Sequence, residues 1–242
     1  MPDPAHHKPR ARVTAIQPDP RGDLDRFAAM LHAESVELTV IRPFDGDPVP
    51  PTIDGDGLIV LGGGMGVHDV DAYPFLSDIK SLLRRTVADT TPTLGICLGA
   101  QLLADALGGE VRPGDAGLES GMVTIHWAAA AADDPLVHEL RDPFSMPAMH
   151  FDGIVRLPDE AVLLGTGNAY PHQMFRVGSA AWGVQFHPEI TPARFRSWRD
   201  GAPEGARDLY DAHSDVFERN DDQVLAGSQQ LARRFAHIVR AS

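Results

Sequence analysis

One stretch constrains this chain more than any other: Thr93-Leu-Gly-Ile-Cys97-Leu-Gly-Ala-Gln101. An apolar run, Thr93 to Ile96, leads in, and a helix-like run, Leu98 to Leu107, leads out and stops at Gly108-Gly109. Cys97 is the only cysteine, with a glycine two residues to either side. A strand that passes into a helix through Gly-x-nucleophile-x-Gly has the form of a nucleophile elbow. The turn is too tight for bulky neighbours, hence the flanking glycines. The cysteine then stands at a helix N-terminus, where the dipole and unpaired N–H groups favour a thiolate. A lone cysteine in an apolar segment also reads as inert core, since free cysteines are commonly buried. The two glycines are what make the nucleophile reading competitive.

A second segment supplies what such a nucleophile needs. Trp182-Gly-Val-Gln-Phe-His187-Pro-Glu189 is an apolar strand ending in a histidine and a glutamate two residues apart. A catalytic cysteine requires a base, and the base an orienting group. His187 can exchange the thiol proton, and Glu189 can fix its tautomer. Alone, His-Pro-Glu is equally a solvated turn at a strand end. Together with the elbow it points to a triad.

At these residues the chain resembles the class I glutamine amidotransferases. Gly95-Ile-Cys97-Leu-Gly99-Ala-Gln101 resembles their nucleophile motif, and Gly183-Val-Gln-Phe-His187-Pro-Glu189 their His/Glu motif. Leu58-Ile-Val-Leu-Gly62-Gly-Gly-Met-Gly66 resembles the strand and oxyanion loop. Tyr73-Pro-Phe-Leu76 fits the stand-alone, GMP-synthase-like branch. The likeness runs from about Arg12 to about Trp198. It implies a flavodoxin-like fold and attack by Cys97 on the glutamine side-chain amide. The backbone N–H groups of Gly63 and Leu98 would hold the oxyanion, each such donor lowering the barrier by roughly 3–4 kcal/mol. His187 would protonate the departing ammonia. Gln101, Gly99, His150 and Asp152 would lie beside the substrate. Three departures bear on substrate identity: Gly64 stands where the family often has proline, so the oxyanion loop is expected to be more mobile; Met122 stands where relatives often carry tryptophan; and Phe151 is bulky for its turn.

Composition sets the outer bounds. At 242 residues the chain can form one α/β domain with a full core. A net charge of −13 argues against nucleic acid and anionic membranes as partners. One cysteine excludes an internal disulfide and fits a reducing cytoplasm. No apolar run reaches the roughly 18 residues of a membrane span. Residues 1–10 are rich in proline and charge, unlike a signal peptide, and are expected to form a mobile tail in which His6-His7 has no further ligand spacing. No His-Glu-x-x-His and no cysteine pair suggests a metal, so neither metal nor cofactor is expected. Gly62 to Gly66 lacks the Lys-Ser/Thr ending of a phosphate loop.

The pattern along the chain gives a fold. Arg12–Gln17, Val36–Ile41, Gly57–Leu61 and Thr93–Ile96 are expected strands; Asp23–Ala33, Pro74–Val87 and Leu98–Leu107 are expected helices. The alternation predicts an α/β fold with a doubly wound, mostly parallel sheet flanked by helices, its site at the C-terminal ends of the strands. From Gly121 to Gln185, short runs at Met122–His126, Ala161–Thr166, Gln173–Val177 and Ala181–Phe186 suggest a small antiparallel patch. Ala128–Leu140 reads as an insertion with Asp133-Asp134 as a helix cap. Ala206–Arg240 is charged and helical, with a docked terminal helix. Residues 11–242 then form a single domain. Three functions are compatible with it. The chain is a glutaminase subunit feeding ammonia to a separate synthetase, a self-sufficient hydrolase of γ-glutamyl compounds like the related plant γ-glutamyl peptidases, or a catalytically silent binding module. The intact Cys97, His187 and Glu189 argue against the third.

Overall fold

The computed structural model describes residues 11–142, 144–201 and 207–242. The expected tail, with His6 and His7, lies outside them. Five strands form the parallel half of the sheet: β1 (Ala11–Ile16), β2 (Val36–Ile41), β3 (Gly57–Val60), β4 (Thr93–Ile96) and, much later in the chain, β11 (Ala181–Val184). β3 and β4 are buried at every position, as expected for strands covered on both faces. Alternate residues of β3 enter opposite cores. Ile59 packs with Phe27 and Leu31 of α1 (Asp25–Ala33) and Leu231 and Phe235 of the terminal helix, α6 (Asp221–Ala241). Leu58 and Val60 pack with Leu76, Ile79, Leu82 and Leu83 of α2 (Phe75–Ala88) and Leu102 and Leu103 of α3 (Leu98–Ala106). This is the doubly wound arrangement that the alternation predicts.

The same sheet continues with antiparallel pairing through β10 (Met174–Val177), β9 (Ala161–Thr166), β6 (Glu119–Trp127) and β7 (Phe144–His150). The expected patch is therefore an extension of the main sheet, and β11 is the seam, parallel to β4 and antiparallel to β10. A separate ribbon pairs β5 (Glu110–Pro113) with β8 (Asp152–Arg156).

Two details differ from expectation. Asp133 and Asp134 cap no helix. A short 3-10 turn, Ala129–Asp133, precedes a few further turns, and the Asp134 carboxylate is buried, accepting from Arg176 Nε at 2.8 Å and Trp182 Nε1 at 3.1 Å. It is a hub between the insertion and β10 and β11. The charged C-terminal segment is two helices, α5 (Arg207–Arg219) and α6, parted at Asn220. Val224, Leu231 and Phe235 of α6 are fully buried, so the terminal helix is docked as expected. Among the described residues no helix is long and apolar enough to cross a membrane.

Candidate active site

β4 hands over to α3 at Cys97, whose φ of +51° is unusual for a residue with a side chain. The turn is held from both sides: Cys97 N–H donates to Val184 O at 2.8 Å, and Cys97 O accepts from Gln101 N at 3.0 Å. Helix and strand press together here. A Cβ on Gly99 would lie 2.0 Å from Val60 O, and one on Gly95 2.6 Å from the Gly99 backbone. The two motif glycines are thus required by close backbone approach.

His187 follows β11, the strand beside β4, and its N–H donates to Pro147 O at 2.8 Å. Its Nδ1 lies 2.7 Å from Glu189 Oε1, and both side chains are almost wholly buried. Trp198 packs edge-on to the ring at 4.9 Å between centroids. Burial pulls the imidazolium pKa down, but the charges of Glu189 and Cys97 and the hydrogen bonds to both outweigh it, pushing the pKa up to about 10. With Nδ1 committed to Glu189, Nε2 is the nitrogen left for the thiol. The Glu189 Oε2 has no hydrogen-bond partner among the described residues.

Gly62 sits against both groups. A Cβ there would lie 3.0 Å from His187 Cε1 and 3.5 Å from Cys97 Cβ. The next residue, Gly63, meets Leu98, whose Cδ2 would be 3.0 Å from a Cβ at Gly63. Leu98 opens α3, so its N–H is one of the first-turn donors without an intrahelical acceptor. The structure thus brings Cys97, His187, Glu189, Gly63 and Leu98 together.

The other four expected residues lie on α3 and at the turn between β7 and β8. Gly99 turns its Cα toward β3, which leaves only its N–H to offer. Gln101 is buried, with Nε2 donating to Asp152 O at 2.8 Å and to Gln185 Oε1 at 3.2 Å. His150 is also engaged, Nε2 against Glu119 Oε2 at 2.9 Å and Nδ1 against Asp152 O at 2.9 Å. Gln101 and His150 thereby brace the turn between β7 and β8. Within that turn Asp152 is only partly buried, its Oδ2 beside Gly66, and Phe151 is 59% exposed. Met122 lies on β6 opposite Pro147, the residue whose carbonyl receives His187 N–H.

Sequence reasoning misses the supports. Glu119 accepts a second bond, from Gln173 Nε2 at 2.6 Å, and Tyr170 packs edge-on against His150. Asp19 holds the glycine loop, its Oδ2 accepting from Gly64 N at 3.0 Å. The loop expected to be freer without proline thus carries a restraint of another kind. Trp198 donates to Arg21 O at 3.1 Å. None of these sits in a motif, and their hydrogen-bond partners are 31 to 177 residues away.

Residues 27–197 match the family model of the class-I glutamine amidotransferases. The chain belongs to that family. It is 33% identical over 164 residues to one component of the glutamine-hydrolysing GMP synthase of Halobacterium salinarum, which is a separate subunit; the match covers 64% of this chain and 82% of that one. It is 27% identical over 176 residues to a γ-glutamyl-L-1-hydroxyisopropylamide hydrolase of a Pseudomonas species, covering 69% and 59%. A glutamine amidotransferase structure from Thermotoga maritima superposes with a TM-score of 0.82 at 24% identity, over 94% of this chain and 98% of that one. At that identity the superposition speaks for the fold alone.

Proposed function

We propose that this class I glutamine amidotransferase hydrolyses the glutamine side-chain amide with Cys97, His187 and Glu189, and delivers the ammonia to a separate synthetase subunit. The observation that carries the chemistry is a strained elbow cysteine beside a buried His187–Glu189 pair whose bond is 2.7 Å. His187 takes the Cys97 thiol proton at Nε2, which gives the reactive thiolate–imidazolium pair. The sulfur attacks the amide carbon, and the N–H groups of Gly63 and Leu98 receive the oxyanion. His187 gives its Nε2 proton to the amide nitrogen, the C–N bond breaks and ammonia leaves. Water then attacks the thioester and passes a proton back to His187. The C–S bond breaks, releasing glutamate and restoring the ion pair. Glu189 keeps the ring oriented and stabilises its charge throughout.

Support for a separate synthetase comes from the H. salinarum GMP synthase component and its counterpart in Haloarcula marismortui, whose lengths this chain largely spans. The Pseudomonas relative favours a second reading, a self-sufficient hydrolase of γ-glutamyl amides. The two share the thioester and differ in the leaving amine. Ammonia and amine release by the purified chain, on glutamine and on a panel of γ-glutamyl amides, separates them. A feeble glutaminase stimulated by an added synthetase subunit supports the first. Fast, partner-independent turnover of substituted amides replaces it with the second. On either reading, nucleic acid and anionic membranes do not suit a chain of net charge −13.

A further inference from the structure

The loop between β1 and α1 contacts both halves of the site. The carbonyl of Asp19 accepts from Gly22 N at 3.1 Å and from Gln17 Nε2 at 3.2 Å, which fixes the residue in place. Its side chain is a crowded acceptor. Oδ1 takes the Arg21 N–H at 2.8 Å and Arg21 Nε at 3.1 Å; Oδ2 takes Arg21 Nη2 at 2.9 Å and the Gly64 N–H at 3.0 Å. Asp19 is 5% exposed. Burial pushes its carboxyl up, but the bonds from Arg21 and Gly64 outweigh burial and hold the pKa below the usual carboxylate range, so the group is ionised at neutral pH.

The position it grips matters. Gly64 directly follows Gly63, the proposed oxyanion donor, and a Cβ on Gly63 would lie 3.2 Å from Asp19 Cβ. A proline at position 64 would fix its own φ but has no N–H to give. Glycine has the N–H but none of the stiffness. Here that N–H donates to a carboxylate 45 residues away, and the charge-assisted bond supplies the restraint that glycine lacks. The same β1–α1 loop packs closely on Gly62, where a Cβ on Gly22 would lie 2.5 Å from Gly62 O.

We infer that Asp19 is a positioning residue for the oxyanion loop, its carboxylate holding the Gly64 N–H and with it the adjoining Gly63 donor. This rests on the proposed function of Gly63. The effect is felt when negative charge develops on the substrate oxygen, not when the sulfur merely reacts. Asp19→Ala should therefore lower kcat for glutamine hydrolysis about 10- to 100-fold, a part of what losing a whole oxyanion donor costs, with KM little changed. Alkylation of Cys97 by iodoacetamide builds no oxyanion and should stay within about twofold of the parent rate. Asp19→Asn, which keeps one acceptor oxygen, should lose less. Placing Gly64→Pro in the Asp19→Ala background should recover most of kcat. The new ring meets Arg21 Nη2, which a Cβ at Gly64 would approach to 2.4 Å, but that guanidinium is free to swing away once its carboxylate is gone.

Hydrogen exchange of the 62–66 backbone supplies a readout that needs no turnover. Exchange at Gly64 should accelerate in Asp19→Ala and stay unchanged in Cys97→Ala. Unchanged exchange and unchanged kcat in Asp19→Ala overturn the inference, as does an equal fall of hydrolysis and alkylation. If the parent chain hydrolyses no γ-glutamyl amide while Gly64 exchange still accelerates, it is the proposed function that fails and not the pinning of the loop.

Discussion

Replacing Glu189 by glutamine tests the centre of the proposed chemistry, because the change alters charge and almost nothing else. The side chain is buried, it is isosteric, and a glutamine Oε1 can still accept from His187 Nδ1. What disappears is the charge that holds the His187 pKa at about 10. Burial, already the largest influence, is then opposed only by Cys97 and the retained Nδ1 hydrogen bond, and the pKa falls toward its ordinary 6.5. The sign follows from the donor role. A raised pKa keeps the imidazolium protonated through neutral pH and loses it as pH rises through about 10; lowering the pKa moves that loss to lower pH. With a pKa of 6.5, only about 1% of the rings would carry the proton at pH 8.5, a loss of about 100-fold, or about 2.7 kcal/mol. At pH 6.5 the same variant would lose only about twofold from protonation, on top of any constant cost of poorer orientation. The assay is kcat/KM for ammonia release from glutamine between pH 6 and 10, for parent and variant, with circular dichroism to confirm folding. The deficit should widen steeply toward alkaline pH. A deficit of the same size at pH 6.5 and 8.5 would refute the argument that the Glu189 charge sets the proton donor. So would a Glu189→Gln loss exceeding that of His187→Ala.

Cys97→Ala should be folded and inactive, and a glutamine-mimicking electrophile should label the parent once, at Cys97. An adduct elsewhere by mass spectrometry, or residual turnover above about 1% of parental turnover, breaks the mechanism, since the chain holds no other thiol to replace the nucleophile. Gly99→Ala should cost at least about 1–3 kcal/mol, since its Cβ would lie 2.0 Å from Val60 O and backbone must move; a melting temperature unchanged within error would contradict the packing. The isolated chain should bind no ATP, because its glycine loop lacks a lysine to meet phosphates; micromolar affinity by calorimetry would overturn this.

What the sequence reveals here is what short-range chemistry writes. The strands β2, β4 and β9 appear with their observed bounds because each is an uninterrupted run between turn signals. Cys97, His187 and Glu189 are legible because strand ends, flanking glycines and a two-residue spacing leave few alternatives. β5, β7 and β8 escape notice: Arg112, Pro113, Ser145, Pro147 and Gly153 interrupt their patterns, and only pairing with distant strands makes them strands. Asp134 misleads for a related reason. Asp before Pro is a good helix start by local rules, yet its carboxylate is claimed by Arg176 and Trp182, more than 40 residues away. Gln101 and His150 stand out in the chain, but their bonds to Asp152, Gln185 and Glu119 depend on tertiary neighbours that no local pattern announces.

The seam position of β11 has a consequence for the order in which this protein becomes reactive. Cys97 and His187 stand at the ends of adjacent parallel strands locked by the pairing of Gly95 with Gly183 and Ile96 with Val184. A parallel neighbour cannot arrive by a hairpin; it must thread in after its crossover is complete. During synthesis, β1 to β4 and the elbow can emerge with the thiol in place while its imidazolium partner has not been made. Even once made, His187 meets the thiol only when β11 settles between β4 and β10. A chain in which β11 is not yet docked therefore lacks the His187 proton donor, and amide cleavage waits on that docking.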